Sequence, residues 1–331
     1  MTQMNQQIVL AQRPQGAVTA ACFRLEEKAT PSPRDGQVLV KHHFMSLDPY
    51  MRGRMDDTKS YAASQVLDAV MGGGTVGEIV ESKLDGYAAG DLVVGMGGWQ
   101  QYSVAKAGEF RKVTNQIALS AYLGTVGMPG VTAWYGLNKI CAPKAGETVV
   151  VTAASGAVGT VVGQLAKAAG ARAVGIAGGP AKCAYVVNEL GFDACIDYKA
   201  EGWKDALKAA APNGIDCVFE NVGGEIFDFI LSRMNAFGRI AVCGLISGYN
   251  GEPYGMTNIR SLLVNRLKVE GFIVSEHMEI WPQALGELGM GVATGKIKYR
   301  ESVAQGLASA PAAFMGLLKG ENFGKQVVKL I

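Results

Sequence analysis

Val149-Val150-Val151-Thr152-Ala153-Ala154-Ser155-Gly156-Ala157-Val158-Gly159-Thr160-Val161-Val162-Gly163 reads as a β-branched run, a tight turn of small residues, and the opening of an amphipathic helix. That order is what a dinucleotide pyrophosphate requires. The strand delivers the turn, small side chains let the backbone approach the phosphates, and the helix N-terminus offers N–H groups at the positive end of its dipole. The glycine pattern is AxxGxxG rather than GxGxxG, and an ordinary strand–helix turn can share it. Its strand-before, helix-after context is what gives it weight.

The sequence that follows narrows the cofactor. The spacing predicts a helix over Thr160–Ala169, stopped by Gly170, then a strand over Ala173–Ala177 that ends in Gly178-Gly179-Pro180-Ala181-Lys182. A site for the unphosphorylated dinucleotide places Asp or Glu about 20 residues past the glycines, on the ribose 2′-hydroxyl. No acidic residue lies between Thr148 and Val187. Nothing in that stretch repels a 2′-phosphate, and Lys182 supplies a counter-charge, so the reading is NADP(H). A solvated surface lysine is the alternative for Lys182.

Composition bounds the rest. With 49% hydrophobic and 18% charged residues, the 331-residue chain has the material for two domains with cores and is not a disordered protein. Lys and Arg number 31 against 29 Asp and Glu, with no basic block, which argues against nucleic-acid partners. No apolar stretch reaches the ~18 residues of a membrane span. The polar Met1–Gln7 has no signal-peptide core. Six scattered cysteines without a C-x-x-C pair read as reduced core residues of a cytoplasmic protein.

From Thr148 the pattern alternates. Strands are predicted at Thr148–Thr152, Ala173–Ala177, Ala194–Ile196, Cys217–Glu220, Arg239–Gly244 and Lys268–Val274. Helices fall at Thr160–Ala169, Ala181–Leu190, Trp203–Ala210, Glu225–Asn235 and Thr257–Arg266. Six strands joined by helical crossovers make a parallel dinucleotide-binding sheet. Residues 5–125 differ, with short runs (Gln37–His43, Gly77–Ser82, Asp91–Met96, Gln101–Ala105) between Gly, Pro and charged turns, the texture of an antiparallel barrel-like module. The tail resumes it with Ile297–Glu301, a helical Pro311–Leu318 and a strand Lys325–Leu330. The predicted organisation is a barrel-type domain of residues 1–126 plus 301–331, interrupted by a nucleotide domain of residues 127–300.

A barrel-like module, an AxxGxxG nucleotide domain and a C-terminal return together resemble the medium-chain dehydrogenase/reductases, an α/β architecture of a GroES-like domain with an inserted Rossmann domain. Zinc-dependent members carry Gly-His-Glu where this chain has Gly72-Gly73-Gly74. Their first zinc cysteine falls near Met45 or Ser46, and the four-cysteine structural loop is missing. His42, His43 and His277 are out of that register, so no metal is expected. Ser46-Leu47-Asp48-Pro49-Tyr50-Met51-Arg52, Asn221-Val222-Gly223-Gly224, Cys243–Asn250, Phe272-Ile273-Val274 and Glu321-Asn322-Phe323-Gly324-Lys325 are similar to the zinc-independent prostaglandin and alkenal reductases, whose bacterial members include curcumin reductases.

That resemblance implies NADPH-dependent reduction of the C=C bond of α,β-unsaturated ketones and aldehydes in a homodimer. Carried over residue by residue, Ser155, Gly156, Ala157, Val158 and Gly159 form the pyrophosphate turn. Lys182 and Tyr198 attend the 2′-phosphate, and Asn221 borders the adenine-side ribose. Cys243, Gly244, Leu245, Ile246 and Ser247 wrap ribose and nicotinamide, Phe272, Ile273 and Val274 back the nicotinamide, and Asn322 closes the site. Met128 is placed to pack on the nicotinamide ring, although it and Val274 read equally as core.

Negative charge that reaches the carbonyl oxygen during the reaction calls for a hydrogen-bond donor. Tyr249, on the glycine-flanked loop after the fifth strand, and Tyr50, beside Pro49, are the candidates; for Tyr50 a structural ring is the alternative. Animal and plant members carry a further tyrosine where this chain has Val264. A quinone reductase and a non-catalytic NADPH-binding protein are the competing readings.

Overall fold

The computed structural model describes residues 4–251 and 254–330. Two compact units account for them. One comprises the chain through Gly124, Glu301–Asn322 and the segment from Gln326 onward. The other comprises Thr125–Arg300 together with Phe323–Lys325.

The first unit opens with β1 (Met4–Leu10) and β2 (Phe23–Ala29), an antiparallel pair. Its main strands are β3 (Gln37–Ser46), β4 (Thr75–Ser82), β5 (Leu92–Gly95), β6 (Tyr102–Lys106) and β7 (Phe110–Lys112). β3 is the hub, antiparallel to both β4 and β6. Val38, Val40 and His42 point into the unit at the two-residue spacing of a half-buried strand. The short helix α1 (Tyr50–Arg54) follows β3. A second apolar cluster centres on fully buried Trp99, stacked on Phe23 at 5.4 Å and edge-on to Phe314 at 5.7 Å.

The second unit begins with α2 (Met128–Tyr135), which runs into a π-helical segment, Gly136–Cys141. It continues β8 (Thr148–Thr152), α3 (Gly159–Ala168), β9 (Arg172–Ala177), α4 (Pro180–Asn188), β10 (Ala194–Asp197) and α5 (Trp203–Ala210). Then come β11 (Ile215–Glu220), α6 (Gly224–Leu231), β12 (Met234–Val242), α7 (Arg260–Val264), β13 (Lys268–Gly271) and α8 (Trp281–Ala293). The sheet is parallel in the order β10-β9-β8-β11-β12-β13. Every residue of β8 is buried, as a central parallel strand covered on both faces demands. Strand order reverses between β8 and β11, so the loops after their carboxyl ends flank the crevice where such folds bind ligands.

Several boundaries differ from the sequence reading. The helix expected over Glu225–Asn235 ends at Leu231, because Met234 pairs with Ile215 and Asn235 donates to Asp216 and the Asn213 carbonyl, drawing the chain into β12. β12 stops at Val242 and β13 at Gly271, so Cys243-Gly244 and Phe272-Ile273 are loop rather than strand, and Val274 opens a 3-10 turn, Val274–Glu276. The helix expected over Thr257–Arg266 shrinks to α7, since Thr257 and Asn258 donate their backbone N–H groups to the Asp228 carboxylate instead. Helix α8 had no counterpart in the sequence reading.

The chain returns through β14 (Glu301–Gln305), α9 (Ala310–Leu318) and β15 (Lys325–Lys329). The strand expected over Ile297–Glu301 therefore begins where that range ends, because buried Ile297 donates its N–H to Gly291 and closes off α8. The seven-stranded sheet runs β14-β15-β3-β4-β5-β7, with β6 on β3.

Candidate active site

After β8 the chain turns sharply. Ala153 sits in the left-handed region at φ 49°, and Val158 precedes the first turn of α3, which carries no acidic residue. Gly159 has to be glycine: a Cβ there would press on the Ala153 carbonyl and lie 2.8 Å from Ala154 Cα. The C-terminal return supports the turn from behind. Gly324 donates its N–H to Ser155 O at 3.0 Å and bridges Gly156 in parallel register. A small-residue cradle at a helix N-terminus, too tight for a side chain, fits a dinucleotide pyrophosphate.

Beyond β9, Gly179 and Pro180 open α4, placing Lys182 in its first turn. Tyr198 and Lys199 follow β10 and lie over Gly178, where an added Cβ would sit 3.0 Å from Tyr198 Cε1 and 3.1 Å from Lys199 Cε. Burial, then the charge of Lys199, lowers the pKa of Lys182. Asp197 does bring a carboxylate to this end of the sheet, from outside the stretch first scanned. Its Oδ1 accepts the backbone N–H groups of Gly179 at 2.8 Å and Lys199 at 3.0 Å.

The loops after β11 and β12 are knitted together by one residue that sequence reasoning missed. Glu220, fully buried, accepts at Oε1 from Thr152 Oγ1 at 3.1 Å and from the backbone N–H groups of Val222 at 2.5 Å and Gly223 at 2.7 Å. Its carbonyl also accepts from Cys243 N at 2.9 Å. Burial outweighs these hydrogen bonds and pushes its pKa up to about 7. Burial, with the nearby Glu220 charge, pushes the Cys243 thiol up to about 12, so it is a packing group at neutral pH. Asn221 donates Nδ2–H to Thr152 O at 2.8 Å and accepts from Cys243 Sγ. The signal available in sequence was a carboxylate directly before Asn221-Val222-Gly223-Gly224.

Gly244, Leu245, Ile246 and Ser247 continue from Cys243, with Ser247 bonded through both N and Oγ to Val222 O. Ile246–Gly248 forms a 3-10 turn that carries Tyr249. The Tyr249 hydroxyl folds back over Gly244 and accepts the Leu245 N–H at 3.4 Å. A phenol oxygen can accept such a bond while it still carries its proton. Phe272 and Val274 are buried in the unit's core, with Ile273 between them half-buried. Met128, the first residue of α2, packs half-buried against the same core. Val264 ends α7 at 51% exposure.

Two expected residues belong to the first unit. Tyr50 starts α1. Burial first, then the Asp48 charge, raises its pKa well above the usual tyrosine value, so the hydroxyl keeps its proton. Its neighbours are structural: Asp48 accepts from Ser46 Oγ, and buried Arg52 pairs with Asp56 at 2.7 Å and donates to Gly16 O. Asn322 lines a cavity of about 310 Å³ with Ser302, Glu321 and Gln326.

The three histidines serve other ends. His42 is buried, shares a 2.8 Å hydrogen bond with Ser103, and is kept neutral by burial, its pKa pushed down to about 3. His43 faces Glu78, and His277 stacks on Tyr135 at 4.2 Å. Among the described residues, no three His, Cys, Asp or Glu side chains converge as a metal ion requires.

Residues 6–113 match the N-terminal domain of oxidoreductases, and residues 157–289 match the zinc-binding dehydrogenases. Those two matches, on this fold, define the class: the chain belongs to the medium-chain dehydrogenase/reductases. Its relatives place it in the prostaglandin and alkenal reductase branch. It is 44% identical to the NADPH-dependent curcumin reductase of Escherichia coli, over 99% of this chain and 97% of that one. It is 43% identical to rat (Rattus norvegicus) prostaglandin reductase 1, over 95% and 96%. Among solved structures, CurA of Vibrio vulnificus in complex with NADPH superposes with a TM-score of 0.94 at 45% identity, over 98% of this chain and 99% of that one.

Proposed function

We propose that the protein is an NADPH-dependent reductase of the C=C bond in α,β-unsaturated ketones and aldehydes. The observation that carries this reading is the set of loops at the carboxyl ends of β8, β9, β11 and β12, from the Gly159 cradle to the Tyr249 hydroxyl. NADPH, when bound, supplies the hydride for the substrate β-carbon. Ser155, Gly156, Ala157, Val158 and Gly159 would hold its pyrophosphate, and Lys182 and Tyr198 its 2′-phosphate. Asn221 and Cys243–Ser247 would line the ribose side, and Phe272, Ile273, Val274 and Met128 would give the nicotinamide an apolar wall. Asn322 is proposed to close the site.

Tyr249 is assigned the donor to the carbonyl oxygen as negative charge gathers there, with Tyr50 as the second candidate. The barrel-type part, residues 1–126 with 301–331, is taken as the catalytic domain and residues 127–300 as the cofactor domain. We further assign a cytoplasmic homodimer, which light scattering of the purified chain would check.

The test is NADPH oxidation with alkenals, cyclic enones, dienones and quinones, with NADH alongside. Turnover of enones with NADPH supports the reading; turnover of quinones alone overturns it. Lys182→Ala should raise the apparent NADPH constant roughly 5- to 150-fold, the worth of a charge-assisted hydrogen bond to phosphate, and leave NADH nearly unchanged.

A further inference from the structure

The end of β10 holds three charged or polar side chains, and the reading above uses only Tyr198. Asp197 brings a carboxylate to this end of the sheet, and its negative charge by itself would oppose a 2′-phosphate. Its Oδ1 instead accepts two backbone N–H groups, from Gly179 at the start of α4 and from Lys199 two residues on. That pair of bonds draws the turn after β10 onto the Gly178-Gly179 turn after β9. The Lys199 stem is thereby laid beside Tyr198 over Gly178, with its Cε 3.1 Å from where a Gly178 Cβ would stand.

The Lys199 ammonium lies 6.0 Å from the centre of the Tyr198 ring and within electrostatic reach of Lys182. Two ammonium groups that repel each other beside one glycine turn are unfavourable in the empty protein. A dianion between them reverses the sign of that interaction. Surface lysines that only solvate a face have no reason to be gathered by a carboxylate clamp around a glycine turn.

Resting on the proposed NADPH reading, we propose that Lys199 is the second cation of the 2′-phosphate subsite, and that Asp197 is its positioning residue, turned inward to hold the turn. Lys182 from α4 and Lys199 from the β10 turn would then flank the phosphate, with Tyr198 donating between them. The cofactor preference of this chain would come from two cations and a redirected carboxylate rather than from one lysine.

Calorimetric binding of 2′,5′-ADP and of 5′-ADP separates this from catalysis, because neither probe carries a nicotinamide. Wild-type protein is expected to bind 2′,5′-ADP more tightly than 5′-ADP, with the difference shrinking as salt is raised. Lys199→Gln should weaken 2′,5′-ADP roughly tenfold, the scale of one charge-assisted contact, and leave 5′-ADP unchanged. Asp197→Asn keeps the acceptor and deletes a negative charge, so it should bind 2′,5′-ADP at least as tightly as wild type. Asp197→Ala releases the turn and should weaken it. If wild type prefers 2′,5′-ADP and Lys199→Gln binds both probes normally, the Lys199 assignment is overturned while the cofactor reading stands. If Asp197→Asn and Asp197→Ala behave alike, the positioning role is overturned. A wild type indifferent to the 2′-phosphate overturns the cofactor reading itself, and this inference with it.

Discussion

Single atoms separate Tyr249 from Tyr50 as the proposed donor. Each can offer a phenol proton, but they are held differently. Tyr249 accepts a backbone N–H from its own loop, and Tyr50 sits half-buried near Asp48, which favours its protonated form. A hydroxyl that meets charge appearing only in the transition state affects turnover more than affinity. Tyr249→Phe is therefore expected to lower kcat roughly tenfold with KM for the enone little changed. That is less than the ~10²-fold of a lone oxyanion donor, because a ribose hydroxyl and water can partly substitute. Tyr50→Phe is the matched control. Full kcat in Tyr249→Phe together with collapse in Tyr50→Phe reverses the roles. Residue types at this scale were readable in sequence, but their engagements were not. Asn221, Ser247 and Asp197 all spend hydrogen-bonding groups on neighbouring backbone, which only the pairing of the strands reveals.

Elements were legible in proportion to how far local pattern and tertiary packing agree. β8, five buried β-branched residues in a row, could hardly be anything else. Helix α8 was invisible because Gly286, Gly289 and Gly291 lower its intrinsic propensity, and its stability comes from packing. Ala284, Leu288 and Gly291 are buried, and Glu287 accepts from Trp134 Nε1 of α2 at 2.7 Å. The ends of β12 and β13 are not legible in sequence because apolar residues continue past the last paired residues, Val242 and Gly271. Glu220 belongs to this scale, since it fastens β8 to the loop after β11. Its folded pKa of about 7 exceeds the ordinary 4.5, so between those values the native state binds more protons than the unfolded chain. Its contribution to stability is therefore full below about pH 4.5 and is lost as pH rises through 7, a change of about 3 kcal/mol. Glu220→Gln keeps the acceptor and removes the titration. The melting temperature of the variant relative to wild type is expected to climb between pH 5 and pH 8. A pH-independent difference would show that Glu220 does not titrate in that range.

Across the whole molecule the chain leaves the first unit, builds the second, and comes back, and the return does not belong to one unit alone. Phe323, Gly324 and Lys325 are part of the nucleotide unit even though β15 pairs with β3 in the other. Phe323 packs edge-on to Tyr185 at 5.0 Å and takes the Arg300 guanidinium on its face at 4.1 Å, while Gly324 backs the Ser155–Gly156 turn. A segment more than 160 residues downstream in the sequence thus holds the proposed phosphate cradle. Gly324 has φ +75°, and a Cβ there would run into the Arg300 carbonyl. Strain and overpacking together should cost Gly324→Ala roughly 2–4 kcal/mol, on the order of 10 °C in melting temperature. Gly320 makes the control: its φ is +71°, yet an added Cβ meets nothing within 4 Å, so Gly320→Ala bears the backbone strain alone. Gly324→Ala should lose clearly more thermal stability than Gly320→Ala, and the melting-temperature gain on adding NADPH should shrink only in Gly324→Ala. Equal losses in the two variants, with equal gains from NADPH, would mean that the return strand merely passes the cradle without supporting it.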